Sequence, residues 1–75
     1  MITLERAKRK ATRLRPDVNR CVEYDDAFVF SNKDDVSFGG NEPVVILKIN
    51  GQAIGMTDYL DMEKSTVNFI KEFDF

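Results

Sequence analysis

Cys21 carries the only thiol in the chain, and there is no histidine to take a proton from it or to bind a metal. Acyl transfer needs a nucleophile activated by a nearby base. The arrangement left open by composition is a Cys21 thiolate favoured by a neighbouring Lys or Arg. Cys21 falls in an alternating β pattern, where a lone cysteine serves as a small buried hydrophobe, so no catalytic residue is assigned and the chain is not expected to be an enzyme. Two acidic pairs, Asp25-Asp26 and Asp34-Asp35, have the chemistry to share a proton or hold a divalent cation. Read as a calcium loop from Asn32, the stretch places Asp34 at the third position but Val36 at the fifth, so the acids read as solvated turn residues and no metal is expected. Phe38-Gly39-Gly40-Asn41 contains glycines but neither phosphate-loop pattern, and a strand rather than a helix follows it. No cofactor is expected.

Two groups of residues suit recognition instead. Residues 32–43 have loop composition and unusual length for a connection in a small domain. Within them Asp34, Asp35, Phe38 and Asn41 are candidate partner-binding residues, Phe38 serving either as a plug on the core or as a displayed anchor. Arg6, Arg9, Lys10 and Arg13 form a candidate basic face on a helix and could contact phosphates. Residues 1–15 carry six Lys/Arg against Glu5, while the other sixty carry five against twelve Asp/Glu. The simpler reading of this asymmetry is a basic helix that neutralises an acidic body.

The elements that must position these groups follow from periodicity. Leu4, Ala7, Ala11 and Leu14 share one helical face, with Arg6, Arg9, Lys10 and Arg13 opposite. Thr3 is the predicted N-cap, and Pro16 stops the helix by disfavouring helical geometry at Arg15. Lys8 and Arg15 at the margin are placed to lay their alkyl stems over the core. Strands are predicted over 18–24 and 27–31, joined by a turn at Asp25-Asp26. Val44 to Ile49 is the most apolar run and is predicted to be a central strand. Asn50-Gly51 predicts a two-residue type I′ hairpin returning through 52–56. Thr57-Asp58 is placed to cap a short helix, and the tail over 67–75 is read as an edge strand in preference to a helix.

The expected fold is therefore α+β: one domain spanning residues 1–75, with an N-terminal amphipathic helix on an antiparallel sheet of four to five strands. A chain this short is expected to have a single core layer between one helix face and one sheet face. With one cysteine, no apolar signal segment and no apolar run of about 20 residues, the chain reads as cytoplasmic with no membrane contact.

The aromatic strand Ala27-Phe28-Val29-Phe30, the glycine-containing loop and the run Gly40-Asn41-Glu42-Pro43-Val44-Val45-Ile46-Leu47-Lys48-Ile49-Asn50-Gly51 resemble the YrhB-like family of bacterial immunity proteins. A PepSY-like helix-and-sheet module has a similar pattern. The first resemblance implies toxin neutralisation by binding, without catalytic residues. The functional expectation is a non-catalytic module that binds a protein partner, as monomer or homodimer. The alternative is a nucleic-acid-binding accessory protein that uses the basic helix.

Overall fold

The structure, a computed structural model, describes residues 1–34, 43–62 and 68–75. Helix α1 spans Leu4–Leu14, followed by β1 (Arg20–Tyr24), β2 (Ala27–Ser31), β3 (Val44–Leu47), β4 (Ala53–Gly55), α2 (Met56–Asp61) and β5 (Phe69–Asp74). The five strands form one antiparallel sheet in the order β4-β3-β2-β1-β5. This is an α+β fold with its principal helix packed on the sheet.

The sequence signals for α1 act as expected at both ends. Thr3 is extended and its hydroxyl accepts a bond from the Arg6 amide at 3.3 Å. Arg15 leaves helical geometry directly before Pro16. The buried stripe is narrower than the periodicity suggests: Ala7 and Ala11 are fully buried and Leu4 half-buried, but Leu14 is 57% exposed. Two alanines let the helix axis approach the sheet closely, and there it covers Val18, Cys21, Phe28, Phe30 and Ile46. Lys8 crosses the margin of this core as expected, its ammonium 4.2 Å from the centre of the Phe75 ring.

The expected single core layer becomes two. The opposite sheet face buries Ala27, Val29, Val45 and Tyr59, with Tyr59 supplied by α2. Val45 and Ile46 alternate between the two faces, as adjacent strand residues must. Helix α2 starts one residue before the expected Thr57-Asp58 cap, with Gly55 at the N-cap and no side chain capping it. β3 is an interior strand as expected, lying between β4 and the aromatic strand β2, which occupies the centre of the sheet. The tail is an edge strand, paired with β1 through Cys21↔Phe73 and interrupted by an irregularity at Glu23/Tyr24.

The Asn50-Gly51 hairpin also departs from expectation. β3 and β4 do pair antiparallel beside β2, but β3 stops at Leu47, two residues short of expectation. The connection is four residues long: the Leu47 amide donates to the Gln52 carbonyl at 2.9 Å and the Gly51 amide to the Leu47 carbonyl at 2.8 Å. Of the turn residues only Gly51 has positive φ, 69°, so the turn is not type I′. The reason lies in Lys48, whose backbone is used elsewhere. Its amide donates to the Asp26 carbonyl at 2.9 Å, and its carbonyl accepts from the Ile2 amide at 2.8 Å. The ladder to β4 therefore ends before Lys48, and Ile49 is turned outward, 80% exposed.

Candidate functional site

The basic face of α1 is the best-formed candidate. Arg6, Arg9, Lys10 and Arg13 stand at i, i+3, i+4 and i+7, a spacing that stacks side chains along one side of a helix. They line an open groove of about 570 Å³ whose other wall is Ile49, Asn50 and Gly51. The wall is fixed at two points besides the core, one to the segment before the helix and one to the helix itself. The Ile2 amide holds Lys48, and the Lys10 ammonium donates to the Gly51 carbonyl at 2.5 Å. Gly51 also receives the Ile2 side chain closely, since a Cβ there would lie 3.1 Å from its Cδ1. The turn that the sequence suggests as a simple hairpin is thus one side of the groove.

The expectation that the basic helix neutralises the acidic body is not met among the described residues. Arg9 approaches only Glu5 of its own helix, at 3.9 Å, with both side chains largely exposed. Such a pair contributes a few tenths of a kcal/mol. Arg6 and Arg13 form no ion pair among the described residues. The sheet acids find other cations. Glu23 binds Lys48 at 2.8 Å and lies 3.9 Å from Lys71, while Glu72 and Asp74 gather around Arg20. Asp17 holds Arg15 just beyond the helix end, at 2.9 Å.

The other sequence-derived candidates resolve differently. Of Asp34, Asp35, Phe38 and Asn41, only Asp34 falls within the described residues. It is exposed, and its amide donates to Asn32 Oδ1 at 2.8 Å in a local Asx turn. The chain before it is anchored by Asn32 to the Asp17 carbonyl at 2.6 Å and by the Lys33 amide to Asn19 Oδ1 at 2.9 Å. Asp35, Phe38 and Asn41 lie outside the described residues, as does most of the 32–43 loop. The Asp25-Asp26 pair has structural partners: Asp25 accepts from Asn68 at 3.0 Å and Asp26 from the Tyr59 hydroxyl at 2.7 Å. Among the described residues no group of three or more His, Cys, Asp or Glu side chains could hold a metal ion. No helix among them is long and apolar enough to cross a membrane.

Cys21 is fully buried against α1. Burial pushes its thiol up to about 12, with the Glu23 carboxylate adding to the rise and Lys71 and Lys48 opposing it. At neutral pH it is a protonated thiol and a poor nucleophile. Phe28 and Phe30, which share a sheet face, are buried under the same helix and present no ring for stacking on bases.

What sequence reasoning missed is Ile49. Counted into β3, it looks like core; in the structure it is an exposed aliphatic beside four cations. The available signal was Lys48, a lone charge breaking an otherwise apolar run just before the turn. Compared with known protein families, curated proteins and solved structures, the chain matches none.

Proposed function

We propose that this chain is a non-catalytic binding module whose contact face is the groove between α1 and the 48–51 turn, and that it engages an anionic partner there. The observation that carries the reading is the convergence of Arg6, Arg9, Lys10 and Arg13 on one pinned groove without ion pairs to the sheet acids among the described residues. Cations that stabilise a fold are expected to find carboxylates within it. Cations arrayed along one open groove have their complement elsewhere. An immunity-like role is compatible, since neutralisation requires only that a partner's surface be occupied. The reading places the protein in the cytoplasm, where an unpaired cysteine remains reduced.

The Arg6→Glu/Arg13→Glu double variant tests this. Both residues are exposed, and surface substitutions of this kind change stability by about 0.5 kcal/mol or less. Thermal melting should therefore be nearly unchanged. A heparin fragment titrated into the isotope-labelled wild type should shift the amide signals of residues 6–13 and 49–51, and the double variant should lose those shifts. No shifts in the wild type, or shifts centred away from the groove, would remove the proposal.

A further inference from the structure

We infer, resting on the groove as contact face, that its occupant is an acidic protein segment that carries a large apolar side chain for Ile49, and not a nucleic acid. Three features of the groove lead there.

The first is the apolar anchor. Ile49 is 80% exposed although it follows the most apolar run of the chain, because both backbone groups of the preceding Lys48 are committed to Asp26 and Ile2. The fold thus displays a β-branched aliphatic residue across the groove from a row of arginines. Arginine next to a desolvatable apolar residue is the composition of protein–protein contact centres. The second feature is the missing stacking platform. Single-stranded nucleic acids are held by aromatic side chains beside the cations, and among the described residues the groove is lined by Met1, Ile2, Ile49, Asn50, Gly51 and the four basic residues, with no aromatic among them.

The third is charge extent. The four cations occupy about two helical turns, roughly 10 Å along the axis, a length that matches a few carboxylates on one short segment. Each arginine can grip a carboxylate through two parallel hydrogen bonds. A nucleic-acid duplex carries a charge every ~1.7 Å along its axis. Beyond the patch it would run against a body whose acids outnumber its bases, in a chain of net charge −2. Charge complementarity therefore favours a short acidic segment over an extended polyanion.

Fluorescence anisotropy with four labelled probes separates these outcomes: an acidic peptide with one central leucine, the same peptide with serine there, polyglutamate of equal charge, and a short DNA duplex. The leucine peptide should bind about tenfold more tightly than the serine peptide and polyglutamate, and Ile49→Ser should erase that difference while leaving the electrostatic component. Tenfold corresponds to about 1.4 kcal/mol. If the leucine and serine peptides bind equally and both are lost in Arg6→Glu/Arg13→Glu, the groove is the contact face and the present inference fails. If the duplex binds best at physiological salt, weakens steeply as salt rises and ignores Ile49→Ser, the occupant is nucleic acid and the inference fails. If no probe binds, the groove reading and the inference fall together.

Discussion

Replacing Phe30 with alanine should lower the free energy of unfolding by about 3–5 kcal/mol in chemical denaturation, the usual cost of emptying a buried phenylalanine site. Phe30 is fully buried at the centre of the sheet, where it packs under α1 with Phe28 and meets the Phe75 ring edge-on at a centroid distance of 6.0 Å. Its neighbours cannot readily collapse into the void. Ala7 and Ala11 carry only a methyl group that cannot reach into the void, and β2 is hydrogen-bonded on both sides. A small domain has only about 5–15 kcal/mol in total, so the variant should be near the limit of folding at room temperature. Leu14→Ala is the matched control: it also removes an apolar side chain from the α1 region, but from a site 57% exposed, and should cost far less. A Phe30→Ala loss below about 1 kcal/mol would mean that the centre of the core lies elsewhere.

The second large effect is expected at the ion pair of Lys48 and Glu23, which joins the end of β3 to β1. Lys48 is 8% exposed, bonds Glu23 at 2.8 Å and places its ammonium 4.9 Å from the Phe28 ring centre. Removing one partner of a buried pair leaves the other charged without compensation, at a cost of roughly 3–5 kcal/mol. Some exposure of the Glu23 side chain, 16%, puts Glu23→Gln at the lower end of that range. Glu23→Leu combined with Lys48→Met should recover most of the loss, because paired charges in such places can be exchanged for apolar groups with little penalty. Denaturation of Glu23→Leu, Lys48→Met and the double variant measures the coupling. If the double variant is as unstable as the sum of the singles, the two residues do not act as a pair.

Much of the architecture was legible because its signals are local. Thr3, Pro16 and the spacing of Ala7 and Ala11 define α1, and β2 spans Ala27–Ser31 around its run Phe28-Val29-Phe30, as expected. The edge strand β5 was also readable, although Val67, Ile70 and Phe73 have helical spacing in the sequence. What sequence could not supply was the competition for backbone groups. Asn50-Gly51 favours a two-residue turn, but Ile2 and Asp26, distant in sequence, take the Lys48 carbonyl and amide and move the end of the ladder back to Leu47. The same competition exposes Ile49. Likewise Tyr59, in a short segment with little periodicity, covers a second sheet face because its hydroxyl can reach Asp26 while its ring is buried. The four basic residues were legible as a helical face. Their lack of ion pairs to the sheet acids among the described residues was not, because Lys48, Lys71 and Arg20 occupy those acids in three dimensions only.

The pairing of β5 with β1 has a bearing on how the domain assembles and comes apart. The β1–β2 and β3–β4 hairpins each close over a short stretch of chain, whereas Arg20 meets Glu72 across 52 residues. That closure is entropically the most demanding in the sheet, and the strand that completes it gains little burial in return. Of its six residues only Phe73 is even half-buried. The fold is therefore expected to have its cooperative heart in β2, β3 and α1, with β5 as its least-protected layer. In native-state hydrogen exchange the β5 amides bonded to β1 should open at lower free energy than those of Phe30 and Val45, which should exchange only with global unfolding. Equal protection across all five strands would instead make the closing strand an integral part of one all-or-none unit.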